Sequence, residues 1–458
     1  MPKATKKLFG LLLILSSLVL ILAGCGASTG TSDTTDTEET TDTEETAETT
    51  DTADIADTED PSDSGEEVEL NVMTWDSVQQ PGVQAAIDAY MEENPNVTVN
   101  LETIPEHGDM VVNLESSIEA GEGPDVFWLG GQILSNADSG AIEPLNEWIE
   151  NDGLDLSIYN DAVVENHKID GEQYGIPKDM DAWFIIYNRA IFDEHGVDYP
   201  SEGWTWDDLV AISNELDENM DDNQYPFYFD TIVNYGLGTL MNQHGEGFVD
   251  DEGNSAAGDE TTVTSLNQMY ELQENGLMPH VVDNPDYDPI SSLISGNLAM
   301  STVPSWNIPA IVEASSDDLQ FAAATFPENN GTNITDTSGL SYSMNADSEQ
   351  KEEAWELIKF LTSDEGARLH ALNGAGLPAN NDEDIKNAWV ESNDVIMDID
   401  VVNAITEENY LRETTAYPEL RDVVGEFSEN AYLSYFAGEI SAEEAAASLD
   451  ELVSESLN

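Results

Sequence analysis

Between Gly26 and Glu69 the chain carries 17 acidic residues, no basic one and no aromatic side chain. The stretch includes the near-repeat TDTEETTDTEET. Such a segment lacks the apolar surface that offsets the entropy of ordering, and its like charges repel one another. It cannot join a packed core, so it divides the chain in three. A short apolar run stands ahead of it. Residues 25–67 read as an extended acidic Thr/Asp/Glu tether. Residues 68–458 are what remains to fold.

The N-terminus, residues 1–24, reads as a secretory signal. Lys3, Lys6 and Lys7 precede an apolar stretch from Leu8 to Ala23. The run is shorter than the ~20 residues of a membrane span. The next basic residue is Lys168, so no stop-transfer cluster follows. The exit, Leu22-Ala23-Gly24-Cys25, holds the only cysteine of the chain. It resembles the bacterial lipobox. That resemblance implies cleavage after residue 24 and acylation of Cys25, which would anchor the mature protein to the cell membrane as an extracytoplasmic lipoprotein, at the cell surface or the periplasmic face. Two or more acyl chains suffice for stable attachment. One cysteine allows no intramolecular disulfide.

The charge is extreme: 95 Asp+Glu against 12 Lys+Arg, a formal net charge of −83. At ordinary ionic strength, self-repulsion on this scale opposes a compact state. In molar salt the Debye length falls to ~3 Å and the repulsion is largely screened. The composition therefore predicts a halophilic protein exposed to brine. It excludes nucleic acid as a partner and argues against electrostatic adhesion to anionic lipid. It also removes the force of one common signal, because paired carboxylates are expected here by chance.

The body is too long for one ordinary core and predicts two domains. VELNVMTW alternates as a strand does. The stretch after Pro81-Gly82 spaces Val83, Ile87 and Tyr90/Met91 at helical intervals and breaks at Asn94-Pro95. VTVNLETI then alternates again. This is a β-α-β unit of an α/β protein. A second helix is expected from Asp109 to Ala120, then a buried strand at PDVFWLG. Further strands are expected at WFIIYN, LAMSTV, QFAAATF and LSYSMN. Long helices are expected at TWDDLVAISNEL, TVTSLNQMYELQENG, KEEAWELIKFLTSDEGARLHAL and SAEEAAASLDELVSESL.

Six segments in order carry a resemblance across nearly all of the body. They are MTWDS…AAIDAYMEENPNVTV, EAGEGPDVFW, GEQYGIPKDMDAWFIIYNRAIFDEHGVD…WTWDDL, NQHGEGFVDDEG, LISGNLAMSTVPSWNIPAI and ALNGAGLPAN. The body resembles the extracellular solute-binding proteins of ABC importers, and among them the maltose-binding-protein-like sugar-binding family. The resemblance implies a two-lobed periplasmic-binding-protein-like fold with a hinge and a ligand cleft between the lobes. The crossings would fall near Pro177–Asp179, near Thr325–Pro327 and around Asn403–Pro418. Lobe 1 would then span about 68–178 and 327–405, and lobe 2 about 179–326 and 406–458. The implied partners are a carbohydrate and the ABC permease. The implied behaviour is that of a monomer with no cofactor, no metal and no catalysis.

A sugar offers apolar C–H faces and a rim of hydroxyls, so its site needs aromatic plates and planar hydrogen-bonding side chains. By resemblance Trp306, after Pro304-Ser305, occupies the place of the family's stacking tryptophan. Asp181 matches a position where the family often places an acid, and Asp179 is its neighbour. Trp128 ends the PDVFW strand, and Trp75 and Asp76 end the first strand, where open α/β sheets place their sites. Gln80 opens the following loop, Tyr417 lies near the third crossing, and Gly339 is a place where backbone can approach a ligand. Trp148, Trp204, Trp206, Trp355 and Trp389 read as packing.

Motifs for chemistry are missing. The six histidines lie at no metal-ligand spacing, and no H-E-x-x-H or G-x-S-x-G occurs. The stretch from Asp217 starts like a calcium loop but has Asp222 where a glycine is needed and Tyr228 where the bidentate glutamate belongs. Two other functions stay open on sequence grounds. One is the same receptor fold for a polyamine, organic cation or osmolyte. The other is an anchored carbohydrate-active enzyme, which needs carboxylates ~5–9 Å apart across a cleft. The charge generates a first prediction. Followed by far-UV circular dichroism, the protein refolds in molar KCl and fails to refold near zero salt. Full stability without salt contradicts brine adaptation.

Overall fold

The opening β-α-β unit forms as its pattern dictates. In the computed structural model, β1 (Val68–Trp75), α1 (Gln80–Glu93) and β2 (Val97–Ile104) follow in sequence. The two strands run parallel, from Val68 opposite Val97 to Trp75 opposite Ile104. The structure describes residues 67–457 apart from 131–136, 138, 222, 251, 318, 375 and 408. The signal at 1–24, Cys25 and the tether up to Glu66 lie outside the described residues. All described residues belong to the compact unit Asp63–Asn458.

After helix α2 (His107–Glu119), the wholly buried β3 (Val126–Leu129) pairs parallel to β1. A short hairpin joins β4 (Lys168–Ile169) to β5 (Glu172–Gln173). The remaining strands are β6 (Ile176–Met180), β7 (Trp183–Asn188), β8 (Tyr225–Tyr228), β9 (Leu298–Pro304) and β10 (Phe321–Ala324), then β11 (Thr335–Thr337), β12 (Gly339–Met344), β13 (Leu377–Pro378) and β14 (Asn409–Leu411). They make two main sheets. One has the order β13-β6-β12-β3-β1-β2, the other β10-β7-β9-β8. Every residue of β7 and β9 is buried, as expected of central strands covered on both faces. Each sheet is the centre of one lobe.

The chain passes between the sheets three times. It leaves the first sheet at Met180 and enters the second at Trp183, so the step falls at Asp181–Ala182. Pro177–Asp179, the expected crossing, instead lies inside β6. Proline is tolerated there because β6 bulges: Leu340 of β12 faces Asp179 while the next residue, Ser341, faces Pro177. Lys178 is the extra residue of that bulge. The second passage runs through β11, beyond the expected Thr325–Pro327. Residues up to Ile334 still bond to the second lobe, through Trp204 Nε1 to the Thr325 carbonyl and Gln243 Nε2 to the Ile334 carbonyl. The third passage runs through β14. β11 and β14 pair parallel with each other, Thr335 opposite Asn409 and Thr337 opposite Leu411, so the second and third passages form a ladder of their own.

The expected single helix over 351–372 is two, Lys351–Leu361 and Asp364–Ala371. Ser363 caps the second, its hydroxyl accepting from the Gly366 amide at 3.3 Å. At Gly366 a side chain would meet the Phe360 carbonyl at 2.2 Å, so the backbone doubles back there. The C-terminal helix Ala442–Ser456 opens on a capping box between Ser441 and Glu444.

Behind the crossings, helix Glu383–Ser392 sends Trp389 against Phe184 of β7, the rings stacked at 6.2 Å. Both are fully buried. Trp389 therefore joins a helix packed on β13 to the second sheet. Trp389→Ala is expected to cost about 3–5 kcal/mol, the range for deleting a large buried aromatic, read as a lowered melting temperature in molar salt. A shift of a degree or less would show that this contact does not hold the lobes' backs together.

Candidate functional site

The C-terminal ends of β1 and β6, the start of β12 and the end of β9 open on one cavity of about 810 Å3. First-lobe residues Trp75, Asp76, Gln79 and Asp179 line one side; second-lobe residues Tyr235 and Trp306 line the other. Asp181, Arg412 and Arg421 come from the crossings or just beyond them. This is the crevice at strand ends where open α/β sheets bind ligands. A hollow of about 840 Å3 elsewhere lies wholly on the first lobe and is rimmed by Glu93, Glu352, Glu353 and Glu356.

On the first-lobe wall, Trp75 is half-buried. Trp128 meets it edge-on at 5.5 Å and His107 lies beside it at 4.7 Å. Trp128 is fully buried and lies behind the lining, so it supports Trp75 rather than facing the cavity. The Lys178 ammonium sits 3.9 Å from the centre of the Trp128 ring, a cation–π contact. Lys178 pairs with Asp179, and both are buried. Its Nζ also donates to Gln79 Oε1 at 2.9 Å, and Gln79 Nε2 donates to Asp76 Oδ2 at 3.2 Å. Leu340 N donates to Asp179 Oδ1 at 3.0 Å. Burial pushes the Asp179 carboxyl up and the Lys178 ammonium down, each opposed by the attraction between them. Asp76 holds a left-handed backbone, φ 68°, and its Oδ1 accepts from the Val78 amide at 2.9 Å. That local bond stabilises the turn that ends β1 and starts α1.

On the second-lobe wall, Trp306 is 37% exposed in the short turn after β9. Trp183 meets it edge-on at 5.6 Å and packs on Tyr235 at 4.9 Å. The Arg412 guanidinium lies over Tyr235 at 4.6 Å. Arg412 Nη2 donates to Asp181 Oδ2 at 2.9 Å, and Nε donates to Asp336 Oδ2 at 2.6 Å. Burial works against the Arg412 charge, but Asp336 and Asp181 outweigh it and hold the guanidinium firmly protonated. Burial pushes the Asp336 carboxyl up to about 6 against the pull of Arg412.

Five expected site residues therefore line the cavity: Trp75, Asp76, Asp179, Asp181 and Trp306. Four do not. Trp128 stands behind the wall. Gln80 is exposed on α1, and its neighbour Gln79 is the one turned inward. Tyr417 is half-buried and packs on the hydrophobic core. Gly339 is close to protein rather than to the cavity: a Cβ there would meet the Asp179 carbonyl at 2.3 Å. Gly376, not expected, lines the cavity where a Cβ would meet Asp179 Oδ2 at 2.8 Å. Arg412, Arg421 and Lys178 were also missed. Their signal was scarcity, since a base is uncommon in this chain.

Residues 75–368 match the family of bacterial extracellular solute-binding proteins. A putative binding protein of Brucella abortus is 21% identical over 395 residues, 84% of this chain and 93% of that protein. The galactooligosaccharide-binding protein of Bacillus subtilis is 23% identical over 369 residues, 77% of this chain and 81% of that one. Among solved structures, an ABC substrate-binding protein of Listeria monocytogenes in complex with cycloalternan matches with a TM-score of 0.72 at 20% identity. The match covers 85% of this chain and 99% of that one. At that identity the likeness is one of fold.

Asp336 generates a pH prediction. Its folded carboxyl binds a proton up to about pH 6, an unfolded one only to 3.8. Between those values the folded state holds more proton, so this group's contribution to stability falls as pH rises through the window. Asp336→Asn removes the titration while Asp181 keeps Arg412. Relative to the parent, the variant should gain stability between pH 4 and pH 7, on the order of 3 kcal/mol at full effect. Parallel melting curves across that range would contradict the assignment.

Proposed function

Because the chain belongs to the family of bacterial extracellular solute-binding proteins, we propose that it captures a neutral carbohydrate in the cleft between its lobes and delivers it to an ABC transporter permease. The family consists of receptors, and this one works outside the cytoplasm without doing chemistry on its ligand. The Bacillus subtilis relative is named for galactooligosaccharides, and the Listeria monocytogenes structure holds cycloalternan. Those names support a carbohydrate ligand, a mono- or oligosaccharide. We assign lobe 1 to the six-stranded sheet and lobe 2 to the four-stranded one, with ligand binding favouring closure by contacting both.

The observation that carries this reading is the pairing state of the cleft acids. Asp179 is held by Lys178 and Asp181 by Arg412. Asp336, just behind, is also held by Arg412. A cleft built for a polyamine leaves its carboxylates for the ligand's ammonium groups. Here bases of the protein already occupy Asp179 and Asp181, in a chain where bases are scarce, and Asp76 is taken up by the Val78 amide and the Gln79 side chain. Aromatic faces at Trp75 and Trp306 with fixed polar groups between them suit a ring of C–H faces and hydroxyls. Acylation of Cys25 would hold the receptor at the membrane, with the acidic stretch after it as the tether. The body would act as a monomer.

The test is thermal unfolding of the full-length chain in molar KCl with maltotetraose, galactotetraose, arabinotriose, spermidine and glycine betaine. A sugar at a hundredfold excess over its dissociation constant raises stability by ~2.7 kcal/mol. Trp306→Ala is expected to weaken that sugar at least ~10-fold, about 1.4 kcal/mol, with little change in the unliganded melting temperature. Stabilisation by spermidine alone, declining with added salt, would replace carbohydrate by a cation.

A further inference from the structure

Each passage between the lobes contributes one charged residue to a single cluster. Asp181 belongs to the first passage, Asp336 to β11 in the second, and Arg412 directly follows β14 in the third. The guanidinium binds both carboxylates at once, through Nη2 and through Nε. Backbone bonds draw the same three strands together. Asp181 N donates to the Ser338 carbonyl at 2.9 Å, and Arg412 N donates to the Thr337 carbonyl at 2.8 Å. The Thr337 hydroxyl donates to the Asp181 carbonyl at 2.8 Å.

The cluster also reaches the ligand cavity. Asp181 and Arg412 line it, and only Oδ2 of Asp181 is taken by Arg412. On its other side Arg412 lies on Tyr235, Tyr235 on Trp183, and Trp183 on Trp306. A ligand face resting on Trp306 thus meets a continuous chain of packed rings that ends at the guanidinium. Asp336 is 1% exposed and Arg412 9%. Salt screens an exposed pair far more than a buried one, so this cluster persists in brine that weakens surface pairs.

We propose that Arg412 is the positioning residue of the cleft: its planar fork holds the three interlobe passages in one relative placement and fixes Asp181 with Oδ1 left for a ligand hydroxyl. This rests on the receptor reading for its purpose, but its test needs no ligand. A lysine cannot replace it, because one ammonium does not present two donors in the fixed directions of Nε and Nη2.

The experiment measures a distance across the lobes in the full-length, ligand-free chain in molar KCl. Spin labels are placed at Val112→Cys on α2 and Val282→Cys beyond β8, both exposed, in a Cys25→Ser background. The parent is expected to give one narrow distribution. Arg412→Met combined with Asp336→Asn, which leaves no buried carboxylate uncompensated, should at least double its width. Arg412→Lys should broaden it as well, and Asp181→Asn should broaden it less. Lys351→Met, which removes a pair with Glu143 within the first lobe, should leave it unchanged. Far-UV circular dichroism confirms that each variant melts cooperatively. If the Arg412 variants do not fold, the half-buried Asp181→Asn decides alone. Folded variants with the parent's distribution overturn the proposal. No sugar enters the measurement, so failure to bind any sugar sinks the carbohydrate reading without touching this one.

Discussion

A carboxylate taken out of water needs a partner, and this body has few to offer. Of the 95 acids and 12 bases, 15 acids and three bases precede Glu67, so the body folds with 80 acids and nine bases. Removing one partner of a buried ion pair costs about 3–5 kcal/mol, because the other charge is left without compensation. Where the nine bases stand therefore decides which acids can enter the interior. Lys178 and Arg412, both under a tenth exposed, stand at the cleft. Lys168, Lys351 and Lys359 pair with acids at more open sites.

The cleft thus differs in kind from the outer surface. Outside, acids far outnumber bases, and the repulsion between such charges is of the kind that salt screens. Inside, Asp179, Asp181 and Asp336 are held by two bases and by backbone or amide groups of the strands that carry them. Acids held in this way serve as oriented hydrogen-bond acceptors rather than as a field for cations. The aromatic residues follow a similar division. Trp128 and Trp183 are buried supports, while Trp75 and Trp306 rest edge-on against them and line the cavity.

The bulge of β6 links these features to the backbone. It inserts Lys178 as an extra residue, so that Lys178 lies over Trp128 and beside Asp179. The same strand leads directly to Asp181 at the first passage. Gly339 and Gly376 then let β12 and the segment before β13 approach Asp179 more closely than any side chain would permit. First-lobe acid and interlobe acid are placed by one irregular strand.

Much of this was readable from residues alone. Period-two and helical spacing located β1, α1 and β2, and strands were also expected at the apolar stretches that form β7, β9 and β12. The resemblance pointed to Trp306 and Asp181, and strand-end logic pointed to Trp75 and Asp76. The sequence determined by apolar periodicity that residues after the acidic stretch make an α/β body, and its segments MTWDS, IPKDM and PSWNI carried the resemblance that implied two lobes. Tertiary structure alone decided that Trp128 supports rather than lines, that Gln79 and not Gln80 turns inward, and that Arg412 meets Asp181 and Asp336. Those outcomes depend on residues up to 231 positions apart. No local pattern encodes such a meeting; it exists only once three passages of the chain share one space and a buried charge there must be compensated.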